Sequence, residues 1–149
     1  MFTVEQIKEA HSKVKSGADF PAYIQEIKAL GVIHYEAYVS DGHIDYHGYN
    51  DYTVKVLAKY TSLVVVDSTD SELFKIELKA HQQGKTDYFT FCKDCAENGI
   101  EKWIVNLDEM TCIYYDKIGN EILVEQIPTL QLTDNKCKKQ KNITIELLK

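Results

Sequence analysis

The chain has 149 residues, 44% of them hydrophobic and 27% charged, with a formal net charge of −6. This is enough apolar chain for one compact domain with a sizeable core, and its acidity disfavours general binding to nucleic acid or anionic membranes, whose phosphates it would repel. No apolar run is long enough to span a bilayer, and the N-terminal MFTVEQIKEAHSK lacks the apolar core of a signal peptide.

A cytoplasmic location is therefore expected, with the four cysteines as reduced thiols. Thr3 and Gln6 have the spacing of a capping box. Val4, Ile7, Ala10, His11 and Val14 then follow a helical stripe that Gly17 ends. Asp19 and Pro21 open a second helix, since proline suits a first turn where its missing N–H is not needed. Tyr23, Ile24, Ile27 and Leu30 give that helix its apolar face, and Gly31 suits a left-handed terminator.

A strand follows, in which Ile33, Tyr35, Ala37 and Val39 alternate with His34, Glu36, Tyr38 and Ser40. Asp41-Gly42 reads as a two-residue hairpin turn. Counting back from it pairs Val39 with Ile44, Ala37 with Tyr46 and Tyr35 with Gly48, which sets Glu36 opposite His47 and Tyr38 opposite Asp45. Asn50-Asp51 makes a second turn, Tyr52 to Leu57 a third strand, and Leu63 to Val66 a short buried one.

Asp67 to Asp70 offers N-cap residues for a third helix. Leu73, Phe74, Ile76 or Glu77, Leu78 and His81 carry it to Gly84, and a fourth helix follows Asp87 and ends at Gly99. Trp103, Val105 and Leu107 form the inward face of the next strand, and strands over Cys112 to Asp116 and Glu121 to Ile127 complete the set. The later half repeats the earlier one. Asp19, Phe20, Tyr23, Gly31, Val32 and Tyr35 align with Asp87, Tyr88, Phe91, Gly99, Ile100 and Trp103 at one offset, 87 − 19 = 68.

The expected fold is α+β: two related helix–helix–three-strand units with antiparallel sheets, an internal duplication with a pseudo-two-fold arrangement. Residues 1–128 form one domain, with units of roughly 1–66 and 67–128. Residues 129–149 form a polar, basic linker and a short C-terminal segment.

Cys92-Lys93-Asp94-Cys95 has the form of a redox pair, but Cys92 falls past the first helical turn, where thiolate is not stabilised. A structural zinc site lacks a second such pair. Because Cys92 and Cys95 occupy the repeat positions of Ile24 and Ile27, they read as small buried filler. Gly84-Lys85-Thr86 imitates the end of a P-loop, but Lys79 stands where that motif needs glycine. His81 suits a helix end, where an imidazole meets terminal carbonyls.

Six side chains are the candidate ligand-binding set: His34, Glu36, Tyr38, His43, Asp45 and His47, all on the outward face of the first hairpin. Imidazoles and carboxylates at alternating strand positions can converge on a metal or polar ligand, with His34, Glu36 and His47 as the metal candidates. The simpler alternative is a solvated sheet face with an ordinary Glu36–His47 cross-strand pair. The second unit carries Lys102, Ile104 and Asn106 at the positions of His34, Glu36 and Tyr38, so any such site belongs to the first unit alone.

Several segments match a known family in order: HQQGKTDYFTFC ending at Cys92, Gly99 to Trp103, Met110 to Asp116, Val124 to Pro128, and in the first unit Tyr46-His47-Gly48 and Ala29 to Val32. Over roughly residues 1–128 the chain resembles the YdfO and YbcV family, small prophage-associated bacterial proteins of unassigned function that are sometimes labelled phage envelope proteins. The resemblance implies an α+β fold and brings no catalytic or binding residues. The expected function is that of a non-enzymatic cytoplasmic binding or accessory protein. It acts on an unknown protein partner or a small ligand, needs no cofactor, and is compatible with a homodimer. The alternative is a metal- or ligand-binding protein or enzyme built on the His34, Glu36 and His47 face.

Overall fold

The computed structural model describes residues 1–15 and 19–128. The first unit runs α1 (Val4–Ser12), α2 (Phe20–Ala29), β1 (Val32–Tyr38), β2 (Ile44–Gly48) and β3 (Thr53–Val56). The second runs α3 (Ser71–Gln82), α4 (Tyr88–Glu97), β4 (Lys102–Asn106), β5 (Thr111–Tyr115) and β6 (Glu121–Gln126). The fold is α+β, and the repeated order fits duplication. Helices α2 and α4 keep the same offset at both ends, 88 − 20 = 68 and 97 − 29 = 68.

Local chemistry places the boundaries. The Thr3 hydroxyl accepts from the Gln6 amide while the Gln6 side chain accepts from the Thr3 amide, which satisfies two donors at the start of α1. Asp70 and Asp87 cap α3 and α4 by accepting from the amides of Leu73 and Thr90. Gly31 and Gly99 leave α2 and α4 in the left-handed region, at φ +108° and +79°.

The two ribbons join edge to edge in one antiparallel sheet of order β3-β2-β1-β4-β5-β6. At the seam Glu36 pairs with Ile104, Tyr35 with Val105 and Ala37 with Trp103. Position 36 thus faces its own repeat equivalent, 104 − 36 = 68, and its neighbours face each other's. That register is what a local two-fold axis through the seam requires. The helices cover one face of the sheet. Buried residues of all four, including Ile7, Ile24, Phe74 and Phe91, share a single core with Tyr35, Ala37, Tyr46, Trp103, Val105 and Tyr114.

Three details differ from the sequence expectation. The first hairpin is shifted by two residues: Ala37 pairs with Ile44, Tyr35 with Tyr46, Glu36 with Asp45 and His34 with His47. Val39 is the cause. Its amide bonds the Glu101 carbonyl across the seam and its carbonyl accepts from the Tyr60 hydroxyl, so it cannot pair with Ile44. The chain turns over Val39 to Gly42 instead, closed by the Gly42 amide on the Tyr38 carbonyl. A shift of two preserves both faces.

Leu63 to Val66 is no strand. Val64 is exposed, and the segment is a strap whose Leu63 and Val66 amides bond the carbonyls of Ser40 and Ala96. A bulge between Val32 and His34 turns Val32 inward in place of Ile33. On α3, Ile76 is exposed and Phe74, Leu78 and His81 are buried. Gly17 and the expected linker and terminal segment at 129–149 lie outside the described residues.

Candidate functional site

The uncovered face of the sheet carries the hairpin candidates. Its alternation leaves His34, Glu36 and Tyr38 of β1, and Asp45 and His47 of β2, half-buried and pointing away from the helices. The structure brings three of the six candidates together. His34 and His47, directly paired across the strands, stack with ring centroids 4.3 Å apart and planes 15° apart. Each of His34, His47 and Glu36 offers a ligating atom within 4.8 Å of the other two. Burial lowers the His34 pKa, and the facing His47 adds to this against the opposing pull of Glu36.

The supporting contacts are polar. The Tyr38 hydroxyl donates to Glu36 Oε2 at 2.6 Å, and Lys102 Nζ lies 3.8 Å from Glu36 Oε1. His47 Nδ1 is 3.1 Å from the Thr53 hydroxyl, while its Nε2 is buried without a partner. His43 and Asp45 stand apart from this group. His43 stacks on Tyr38 at 4.3 Å and binds Asp41 through Nδ1 at 2.5 Å, and its Nε2 is 4.0 Å from Asp45 Oδ2. The Glu36–His47 pairing expected from the turn is replaced by His34–His47, because of the shifted register.

The thiol pair lies in the core. Cys92 and Cys95 are fully buried on the inner face of α4, and burial raises both pKa values. Neither is poised as a nucleophile. His81 is buried as well. Its ring stacks on Phe91 at 4.4 Å, and Nδ1–H donates to the Thr86 carbonyl at 3.0 Å, so it ties the turn between α3 and α4.

Sequence reasoning missed a second place. On the helical side, a cavity of about 240 Å³ opens between α1 and the sheet, beside the seam. Ile7, Lys8 and His11 of α1 roof it, and the rings of Tyr35, Tyr46, Tyr88 and Trp103 form much of its wall. The Tyr35 hydroxyl and Trp103 Nε1 are buried without a hydrogen-bond partner. These two residues are repeat equivalents, 103 − 35 = 68.

Burial drives the Tyr35 phenol pKa well up, so it is a neutral donor. Lys59 is exposed as a residue, but its ammonium sits 5.1 Å from the centre of the Tyr88 ring, and desolvation lowers its pKa. The available signal was the cluster of six tyrosines between Tyr35 and Tyr60 and the alignment of Tyr35 with Trp103. It pointed to these rings without showing that a space lies between them.

The chain is thus a duplicated α+β protein with a cavity beside its internal seam and a histidine–carboxylate cluster on the opposite sheet face. A family model described as a protein of unknown function, DUF1398, matches residues 8–126, and the chain belongs to that family. No curated protein matches it. Among the described residues no helix is long and apolar enough to cross a membrane.

Proposed function

We propose that this protein binds a small aromatic carboxylate in the cavity beside its seam, and that it is a binding or accessory protein rather than an enzyme. The observation that carries this is the pair of unsatisfied buried donors, Tyr35 Oη and Trp103 Nε1, on residues that line one cavity. A buried polar atom without a partner costs about 1–3 kcal/mol, and an indole N–H can only donate. Neither atom is exposed to the cavity as it stands, so a ligand that supplies acceptors removes that cost once small ring rotations bring the donors to it. Lys8 and Lys59 around the same space favour an anion, and the four aromatic rings favour a planar apolar body. The size restricts the choice. The cavity of about 240 Å³ exceeds the roughly 150 Å³ that takes benzene and falls below the roughly 300–1,000 Å³ of drug-sized sites, so one ring with a short acidic substituent fits.

A bacterial cytoplasmic setting and a prophage association belong to the same proposal. Their support is the resemblance to the YdfO and YbcV proteins and three free, buried thiols that suit a reducing compartment.

Trp103 is the single tryptophan and lines the cavity, so its emission reports occupancy. Titration with benzoate and phenylacetate is expected to give a saturable change, with benzylamine, the charge-inverted control, giving none. Ala37 also lines the space, and Ala37→Leu should fill it, abolishing the response while preserving the circular dichroism. Equal responses to acid and amine, or an undiminished response in a folded Ala37→Leu protein, would refute the assignment.

A further inference from the structure

We propose that His34, His47 and Glu36 bind one first-row divalent cation, of the zinc or nickel type, on the open face of the sheet. This site lies across the sheet from the cavity and is independent of it.

The donor set is the first reason. Two imidazoles and one carboxylate suit borderline ions and leave positions for water or an added ligand. Tetrahedral coordination with bonds of about 2.0–2.1 Å places donors roughly 3.3 Å apart. The three donors already lie within 4.8 Å of one another, so small side-chain rotations close the set. His34 and His47 are held by direct strand pairing, which leaves only side-chain torsions to adjust.

The outer contacts are the second reason. Thr53 Oγ1 lies 3.1 Å from His47 Nδ1; when Nδ1–H donates to it, the lone pair sits on Nε2, the buried nitrogen with no partner. An outer hydrogen bond that fixes the tautomer and orientation is what metal-binding histidines use. The Tyr38 hydroxyl holds Glu36 Oε2, which leaves Oε1 as the second oxygen available to an ion. One feature opposes binding: the Lys102 ammonium lies 3.8 Å from that same Oε1. It stands where the second unit departs from the first, at the repeat position of His34 (102 − 34 = 68). A site that works despite this cation should improve when it is removed, whereas an ordinary surface pair would respond only in stability.

The test is calorimetric titration of the untagged full chain with Zn²⁺ and Ni²⁺, in a Cys137→Ser background that removes the one thiol outside the described core. One ion per chain is expected. His34→Ala and His47→Ala should each abolish binding. Thr53→Val should weaken it about tenfold or more, the usual effect of losing an outer-shell partner. Lys102→Met should tighten it about threefold, the scale of a half-exposed charge pair. All four positions are on the open sheet face, and circular dichroism checks that each variant folds. No uptake by the parent protein, uptake retained in both histidine variants, or affinity unmoved by Lys102→Met would overturn the site. None of these results bears on the cavity, because Trp103 emission is measured without metal.

Discussion

The two repeats place glycine at one structural position under different local constraints, and this separates backbone strain from crowding. Gly31 and Gly99 both adopt positive φ, but a side chain on Gly31 would meet only Phe2 at 3.9 Å. A Cβ on Gly99 would sit 2.7 Å from the Ser68 carbonyl oxygen, a backbone atom that cannot swing away. Gly31→Ala should therefore cost about 1–2 kcal/mol from the left-handed geometry alone, and Gly99→Ala clearly more, as measured by urea denaturation. Equal losses would mean the backbone at Ser68 yields freely. The cysteines allow a second test at this scale. Cys92, Cys95 and Cys112 are buried thiols among four in the chain, so Ellman's reagent should find at most one fast thiol in the native protein, 4 − 3 = 1, and all four in denaturant.

Between elements, Glu125 of β6 couples the second ribbon to α3. It accepts from Gln82 Nε2 at 3.0 Å and from the Tyr114 hydroxyl at 2.9 Å. Burial raises its pKa, and these hydrogen bonds only partly offset that. The folded protein thus holds this proton more tightly than the unfolded chain does. Stability is lost as pH rises from the unfolded value, about 4.3, through the folded one, and stays lost above it. Glu125→Gln should be more stable than the parent at pH 7, with the advantage vanishing near pH 4 in parallel denaturation curves. A constant difference between the two pH values would mean the carboxylate is not strained.

Elements were legible where periodicity and punctuation agreed. Thr3, Asp70, Asp87, Gly31 and Gly99 bound helices as expected, and apart from Ile33 the faces of the first hairpin's strands came out as expected. The hairpin register did not, because the commitment of Val39 to Glu101 and Tyr60 is a long-range contact that a turn motif does not encode. For the same reason Leu63 to Val66 looked like a strand: its apolar residues are real, but its backbone bonds are isolated ones to Ser40 and Ala96. The metal-ligand candidates were visible because alternation alone puts His34, Glu36 and His47 on one face. The cavity was not, since an empty space depends on how α1 sits over Tyr35 and Trp103.

At the scale of the whole molecule, the seam decides whether the repeats behave as two bodies or one. Strands β1 and β4 pair through five residues on each side, from His34–Asn106 to Tyr38–Lys102. The segment between β3 and α3 adds the Tyr60–Phe89 ring contact and the Val66–Ala96 bond, and the apolar interior is continuous. Neither ribbon has a separate core to retain if the other melts, so unfolding should be a single transition. Ile24 and Trp103 test this, because they belong to different units. Ile24 is fully buried on α2, and Ile24→Ala should cost about 2–5 kcal/mol. With one cooperative body, that whole loss appears in the Trp103 emission midpoint, although the substitution is in the other repeat, and the circular dichroism curve moves with it. With two independent bodies, the Trp103 transition stays where it was while part of the dichroism signal melts early. A fused pair whose inner edges are joined strand to strand requires the first outcome.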